Sequence, residues 1–72
     1  MTAATGLHIV VNGEPLELYS ATTVADLLDR LRVATPRVAV ERNLEIVPKG
    51  RFADTVLEEG DRVEIVQFVG GG

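Results

Sequence analysis

Along the first part of the chain, apolar residues recur with a period of two. Leu7, Ile9 and Val11 share one face of an extended segment, and His8 and Val10 share the other. Asn12-Gly13 follows, a pair in which both residues tolerate positive φ, and Pro15-Leu16-Glu17-Leu18-Tyr19 resumes the alternation. The pattern predicts a β-hairpin. From Thr23 the period changes: Val24, Leu27, Leu28 and Leu31 are spaced as one helical stripe that faces a core. Thr23 and Asp26 stand as a capping box at its start. Asp26 near the first turn and Arg30 and Arg32 near the last suit the helix dipole, and Pro36 bars continuation.

Val38-Ala39-Val40 reads as a short strand with Val38 and Val40 inward, and Glu41-Arg42-Asn43 as the approach to a turn. Leu44 to Pro48 forms a brief fourth segment. Lys49 to Asp54 is a loop or single helical turn anchored by Phe52, and Thr55-Val56-Leu57 lies against the sheet. Glu58-Glu59-Gly60-Asp61 is a polar turn. Arg62 to Phe68 is the last strand, with Val63 and Ile65 inward and Glu64, Val66 and Phe68 outward. The order is β-β-α-β-β-β. An α+β fold of β-grasp type accounts for it: a mixed four- to five-stranded sheet packed on one helix, with the first and last strands as parallel central neighbours. Residues 1–69 make the single domain, starting with a frayed Met1–Gly6, and residues 70–72 a flexible glycine tail.

Composition narrows the chemistry. At 72 residues, 46% of them apolar, one hydrophobic core must hold the fold. Without cysteine there is no disulfide, thiolate nucleophile or cysteine-ligated zinc, and the lone His8 has no second histidine to share a metal. A formal charge of −4 disfavours nucleic acid. With no apolar run of membrane-spanning length and no secretion signal, a cytoplasmic protein is expected.

The end of the chain carries the functional signal. The last strand runs without a spacer into Gly70-Gly71-Gly72. Glycine lacks a Cβ and adopts whichever φ and ψ a partner demands, so this tail can thread a narrow channel with a bare carboxylate at its tip. The plain reading is a disordered end. The functional one makes the Gly72 carboxylate the reacting group and Gly70 and Gly71 its flexible lead.

The Asn-Gly hairpin, Thr23-Val24-Ala25-Asp26-Leu27-Leu28, Val38-Ala39-Val40-Glu41-Arg42-Asn43, Glu45-Ile46-Val47-Pro48, Gly60-Asp61 and the closing Phe68-Val69-Gly70-Gly71-Gly72 together resemble the ThiS family, the sulfur carriers of thiamine biosynthesis. The resemblance covers essentially everything after Gly6. It implies that a separate ThiF-type adenylating enzyme activates the Gly72 carboxylate with ATP. A sulfur-delivering enzyme then supplies cysteine-derived sulfur to make a thiocarboxylate, and thiazole synthase receives that sulfur. On this reading the chain binds no cofactor and is a carrier, not an enzyme.

Other readings share the fold. A small subunit of molybdopterin synthase would deliver sulfur to a pterin, a ubiquitin-like modifier would end on a lysine, and a β-grasp adaptor would need no glycines. The stretch from Val38 to Pro48 favours the thiamine carriers. Val66 and Phe68, with Val10 on the neighbouring strand, form a candidate docking surface for the partner enzymes. Glu58, Glu59, Asp61 and Glu64 form an acidic group that is either a solvated face or a means of steering.

Overall fold

A computed structural model of the chain describes residues 6–33 and 35–68. Five strands, β1 (Leu7–Val11), β2 (Glu14–Leu18), β3 (Val38–Arg42), β4 (Glu45–Val47) and β5 (Arg62–Gln67), form one sheet in the order β2-β1-β5-β3-β4, and one helix covers it. β1 and β2 are antiparallel across the Asn12-Gly13 turn. Both turn residues have positive φ, 50° and 84°, as a two-residue hairpin requires. β3 and β4 form a second hairpin around Asn43 and Leu44, again with positive φ at both. β5 is the central strand, parallel to β1 and antiparallel to β3.

The helix α1 (Val24–Leu31) starts as its sequence predicts. Thr23 accepts a hydrogen bond from the Asp26 backbone N–H at 3.1 Å, and Asp26 accepts one from the Thr23 N–H at 3.1 Å. Its end falls where the stripe ending at Leu31 predicts, with Arg32 as the cap rather than in the last turn. The helix stops well before Pro36, because Arg32 turns into the left-handed region at φ 60°. The Arg32 N–H then bonds the Asp29 carbonyl at 3.1 Å and the Val33 N–H bonds the Leu28 carbonyl at 3.0 Å. Leu31, expected in the buried stripe, is 38% exposed beside this turn. Pro36 lies instead in a short 3-10 turn, Thr35–Arg37.

Between sheet and helix, Ile9, Val24, Leu27, Leu28, Val38, Val40 and Val63 are fully buried. A second 3-10 turn, Lys49–Arg51, leads to Phe52, which plugs one side of this core, while Leu57 fills another. The segment between is tied to the helix start: the Val24 N–H donates to Thr55 and the Ala25 N–H to Phe52.

Both outer edges of the sheet are blunted. In the β1–β2 ladder Pro15 and Glu17 turn their backbone outward, and Tyr19 follows the strand. Pro15 has no N–H to offer, the Glu17 carbonyl accepts from Arg30 Nη1 at 3.2 Å, and the Tyr19 carbonyl accepts from the Thr22 hydroxyl at 2.6 Å. On the far side β4 has only 3 residues and Pro48 follows it. Edge-to-edge pairing is thus discouraged. Among the described residues the face of the sheet opposite the helix is open.

Candidate functional site

β5 is the strand that delivers the chain to its tail, and three devices fix it. Beside β1 the parallel ladder runs out at Asn12, whose side chain replaces the missing strand. Its Oδ1 accepts from the Ile65 N–H at 2.7 Å and its Nδ2 donates to the Ile65 carbonyl at 3.2 Å. Beside β3 the ladder continues to the end, where the Phe68 N–H donates to the Arg37 carbonyl at 2.8 Å.

The third device is a buried polar knot at the start of β5. Asp61 is only 5% exposed. Its Oδ2 accepts from Arg42 Nε at 2.7 Å and from the Glu58 N–H at 2.8 Å, and its Oδ1 accepts from Asn43 Nδ2 at 3.0 Å. Asn43 in turn accepts from the Arg62 N–H at 2.9 Å. Burial pushes the Asp61 carboxyl upward. The bonds from Glu58, Asn43 and Arg42 and the Arg42 charge together outweigh it, so the group is held below its usual value of 3.8. The knot joins the β3–β4 turn, the loop before β5 and β5 itself. It is a structural lock that holds the start of β5, the end of the strand away from the glycines.

This removes Asp61 from the acidic group expected at the surface. The rest of that group is dispersed as well. Glu58 reaches Arg42 Nη2 at 3.8 Å, and Glu59 caps the His8 N–H at 2.9 Å with its other oxygen 3.3 Å from His8 Nδ1. Glu64 lies on the open face directly across from Glu41 of β3. Glu41-Arg42-Asn43, read as turn chemistry, supplies two members of the lock. Among the described residues no group of His, Asp and Glu is placed to hold a metal ion.

Val66 and Phe68 are 52% and 55% exposed on the open face. Val10 shares that face but meets their surroundings only through Leu44 and Glu64, which line one hollow with Val10 and another with Val66. It pairs with Arg62 at the opposite end of β5, four residues from Val66 and so about 13 Å away along the strand. The apolar neighbours of Val66 come from the other side of the sheet: Ala39 of β3, Leu44 in the turn and Ile46 of β4. Leu44 and Ile46, 89% and 65% exposed, were not legible as surface from the sequence. Ile46 stands one residue from buried Val47 and so on the opposite face of β4, and Asn-Leu in a two-residue turn was the available sign for Leu44. Val69, Gly70, Gly71 and Gly72 lie outside the described residues, as do the chain's first five.

Comparison with known proteins agrees with this architecture. A family model described as the ThiS family matches residues 9–72. The chain is 48% identical over 66 residues to a thiazole synthase of Paramagnetospirillum magneticum, covering 92% of this chain but 20% of that protein. It thus spans about a fifth of the length of the thiazole synthases it matches. It is 41% identical over 63 residues to the sulfur carrier protein ThiS of Bacillus subtilis, covering 86% of this chain and 96% of that one. The crystal structure of the thiamine biosynthesis protein ThiS from Geobacter metallireducens superposes with a TM-score of 0.76 at 38% identity, over 92% of this chain and all of the other. A five-stranded β-grasp sheet on one helix, with a family match that runs through the final glycine, places this chain in the ThiS family.

Proposed function

We propose that this chain is a cytoplasmic sulfur carrier for thiazole formation in thiamine biosynthesis, with the Gly72 carboxylate as the group that is loaded. The observation that carries this reading is the extent of the family match, which reaches residue 72 and so takes in the terminal glycines. A carboxylate is a poor electrophile until one oxygen becomes a leaving group. A ThiF-type adenylating enzyme joins it to AMP from ATP with release of pyrophosphate. Sulfur of cysteine origin, brought by a sulfur-delivering enzyme, then attacks the acyl carbon and AMP departs, leaving the thiocarboxylate. Thiazole synthase consumes that sulfur, and the similarity to proteins named thiazole synthase favours this acceptor over a pterin.

The chain's own part is to present the tail. Gly70 and Gly71 carry no Cβ to collide with a channel closed against water, which is what protects an acyl-adenylate from hydrolysis. Held at its start by Asp61 and farther along by Asn12 and β3, β5 is a firm base ahead of the glycines. The test is intact-protein mass spectrometry after incubation with the adenylating enzyme of the same genome, ATP and the sulfur source. Replacement of one oxygen by sulfur, mapped to Gly72, is expected. Deletion of Gly72 should leave the melting curve unchanged and abolish loading. A normally loaded deletion variant would refute the reading.

A further inference from the structure

Two turns of this chain share one geometry and differ in one residue. Asn12-Gly13 has φ of 50° and 84°, and Asn43-Leu44 has 52° and 72°. Glycine adopts the second position freely, whereas a residue with a Cβ is strained there. Leu44 accepts that strain and recovers nothing from burial, since 89% of it is exposed. Such a residue is unfavourable for the free protein on both counts. Its benefit has to come from outside the described fold.

Its surroundings show what kind of contact that is. Leu44, Ile46, Val66 and Ala39 line a shallow hollow of about 320 Å³ on the open face, together with Glu41 and Glu64. The two carboxylates are directly opposed across β3 and β5, an arrangement that destabilises a sheet. Among the described residues neither forms an ion pair. Phe68 continues the apolar surface along the same face toward the tail.

We propose that Leu44 is an anchor for the enzyme that encloses the tail, and that this enzyme seats an arginine or lysine between Glu41 and Glu64 within a rim of apolar side chains. The charge decides the occupant. A second copy docking through the same face would set its own Glu41 and Glu64 against these two, four carboxylates with no cation between them. A cationic, apolar-rimmed partner removes both the repulsion and the exposed leucine. The proposal rests on the sulfur-carrier reading and names the surface that reading uses.

The test sets stability against binding. Leu44→Gly should raise the melting temperature by roughly 4–8 °C, because the strain is relieved and no buried contact is lost. The same variant should bind the adenylating enzyme roughly ten- to a hundredfold more weakly, the scale for losing one buried leucine. Glu41→Gln with Glu64→Gln should melt no lower than the wild type. It should also bind more weakly at low salt, with a difference that narrows as salt rises. An unchanged dissociation constant for either variant, a lowered melting temperature for Leu44→Gly, or a dimer in sedimentation that Leu44→Gly disrupts would overturn the proposal. The two readings fail differently. If the wild type takes up no sulfur, the carrier assignment falls; if it loads normally and Leu44→Gly binds as well as it does, only the anchor falls.

Discussion

Asp61→Asn should destabilise the fold by about 2–3 kcal/mol at neutral pH, although the two side chains have nearly the same shape. Oδ2 of Asp61 takes two donors, Arg42 Nε and the Glu58 N–H, and Oδ1 takes a third from Asn43. An asparagine can keep its oxygen toward only one side. If it faces Arg42 and Glu58, the Arg42 cation loses its counter-charge and the Glu58 bond becomes a neutral one, a loss of roughly 1 kcal/mol each. Its amide nitrogen then confronts Asn43 Nδ2, donor against donor, which costs about 1 kcal/mol more. Asn43 cannot turn over to relieve this without surrendering the Arg62 N–H held by its own oxygen. Because 27% of the Arg42 side chain is exposed, water recovers part of the loss, which sets the lower end of the range.

For a domain of this size the expected fall in melting temperature is roughly 10–20 °C. The pH dependence follows from the sign of the shift. The folded-state pKa of Asp61 lies below its unfolded value near 3.8, so its stabilisation is fully present above that pH. It is lost as pH falls through the folded value, where protonated Asp61 resembles the asparagine. Thermal melts followed by circular dichroism should therefore show a gap between wild type and variant that is constant above about pH 5 and closes in acid. A gap that stays the same in acid, or one below about 0.5 kcal/mol at neutral pH, would refute the lock as described.

Thr23→Ala removes the side-chain half of the capping box and should cost about 1 kcal/mol in chemical denaturation, while Thr23→Ser should retain most of it. Phe52→Ala empties a buried site next to the helix start and should cost roughly 3–5 kcal/mol by the same measurement. Asn12→Ala leaves the Ile65 N–H and carbonyl without the side chain that stands in for a strand. A loss of about 1 kcal/mol is expected, with faster amide hydrogen exchange at Ile65 as its local signature.

The fold was legible because its information is local and periodic. The alternation of Leu7, Ile9 and Val11, the positive-φ pair Asn12-Gly13, the capping box at Thr23 and the stripe of Val24, Leu27 and Leu28 each depend on residues only a few positions apart. The observed strands, turn and helix start follow them. Strand ends were less legible. β3 runs on to Arg42 because the register with β5 carries it there, and no local signal in Glu41-Arg42 states that register. The helix end at Leu31 agrees with the stripe, but the device that ends it was not legible. Proline is a strong stop, but Arg32 had already left the helix through a left-handed turn that its residue type does not favour.

By itself the sequence determined the element order, the core faces of the strands and the glycine-ended tail, since each is written in spacing or in the absence of a Cβ. Only the tertiary structure decided what meets what. Asp61 reads as one acid in a polar turn, yet the fold buries it against Arg42 and Asn43, residues about twenty positions away in sequence. Val10 and Val66 have matching outward parity, yet the parallel register sets them at opposite ends of β5 and gives Val66 the company of Ala39 and Ile46. Parity fixes the face of a strand on which a side chain stands. Its neighbours on that face depend on strand order and register, which arise from long-range pairing and are set only when the sheet closes.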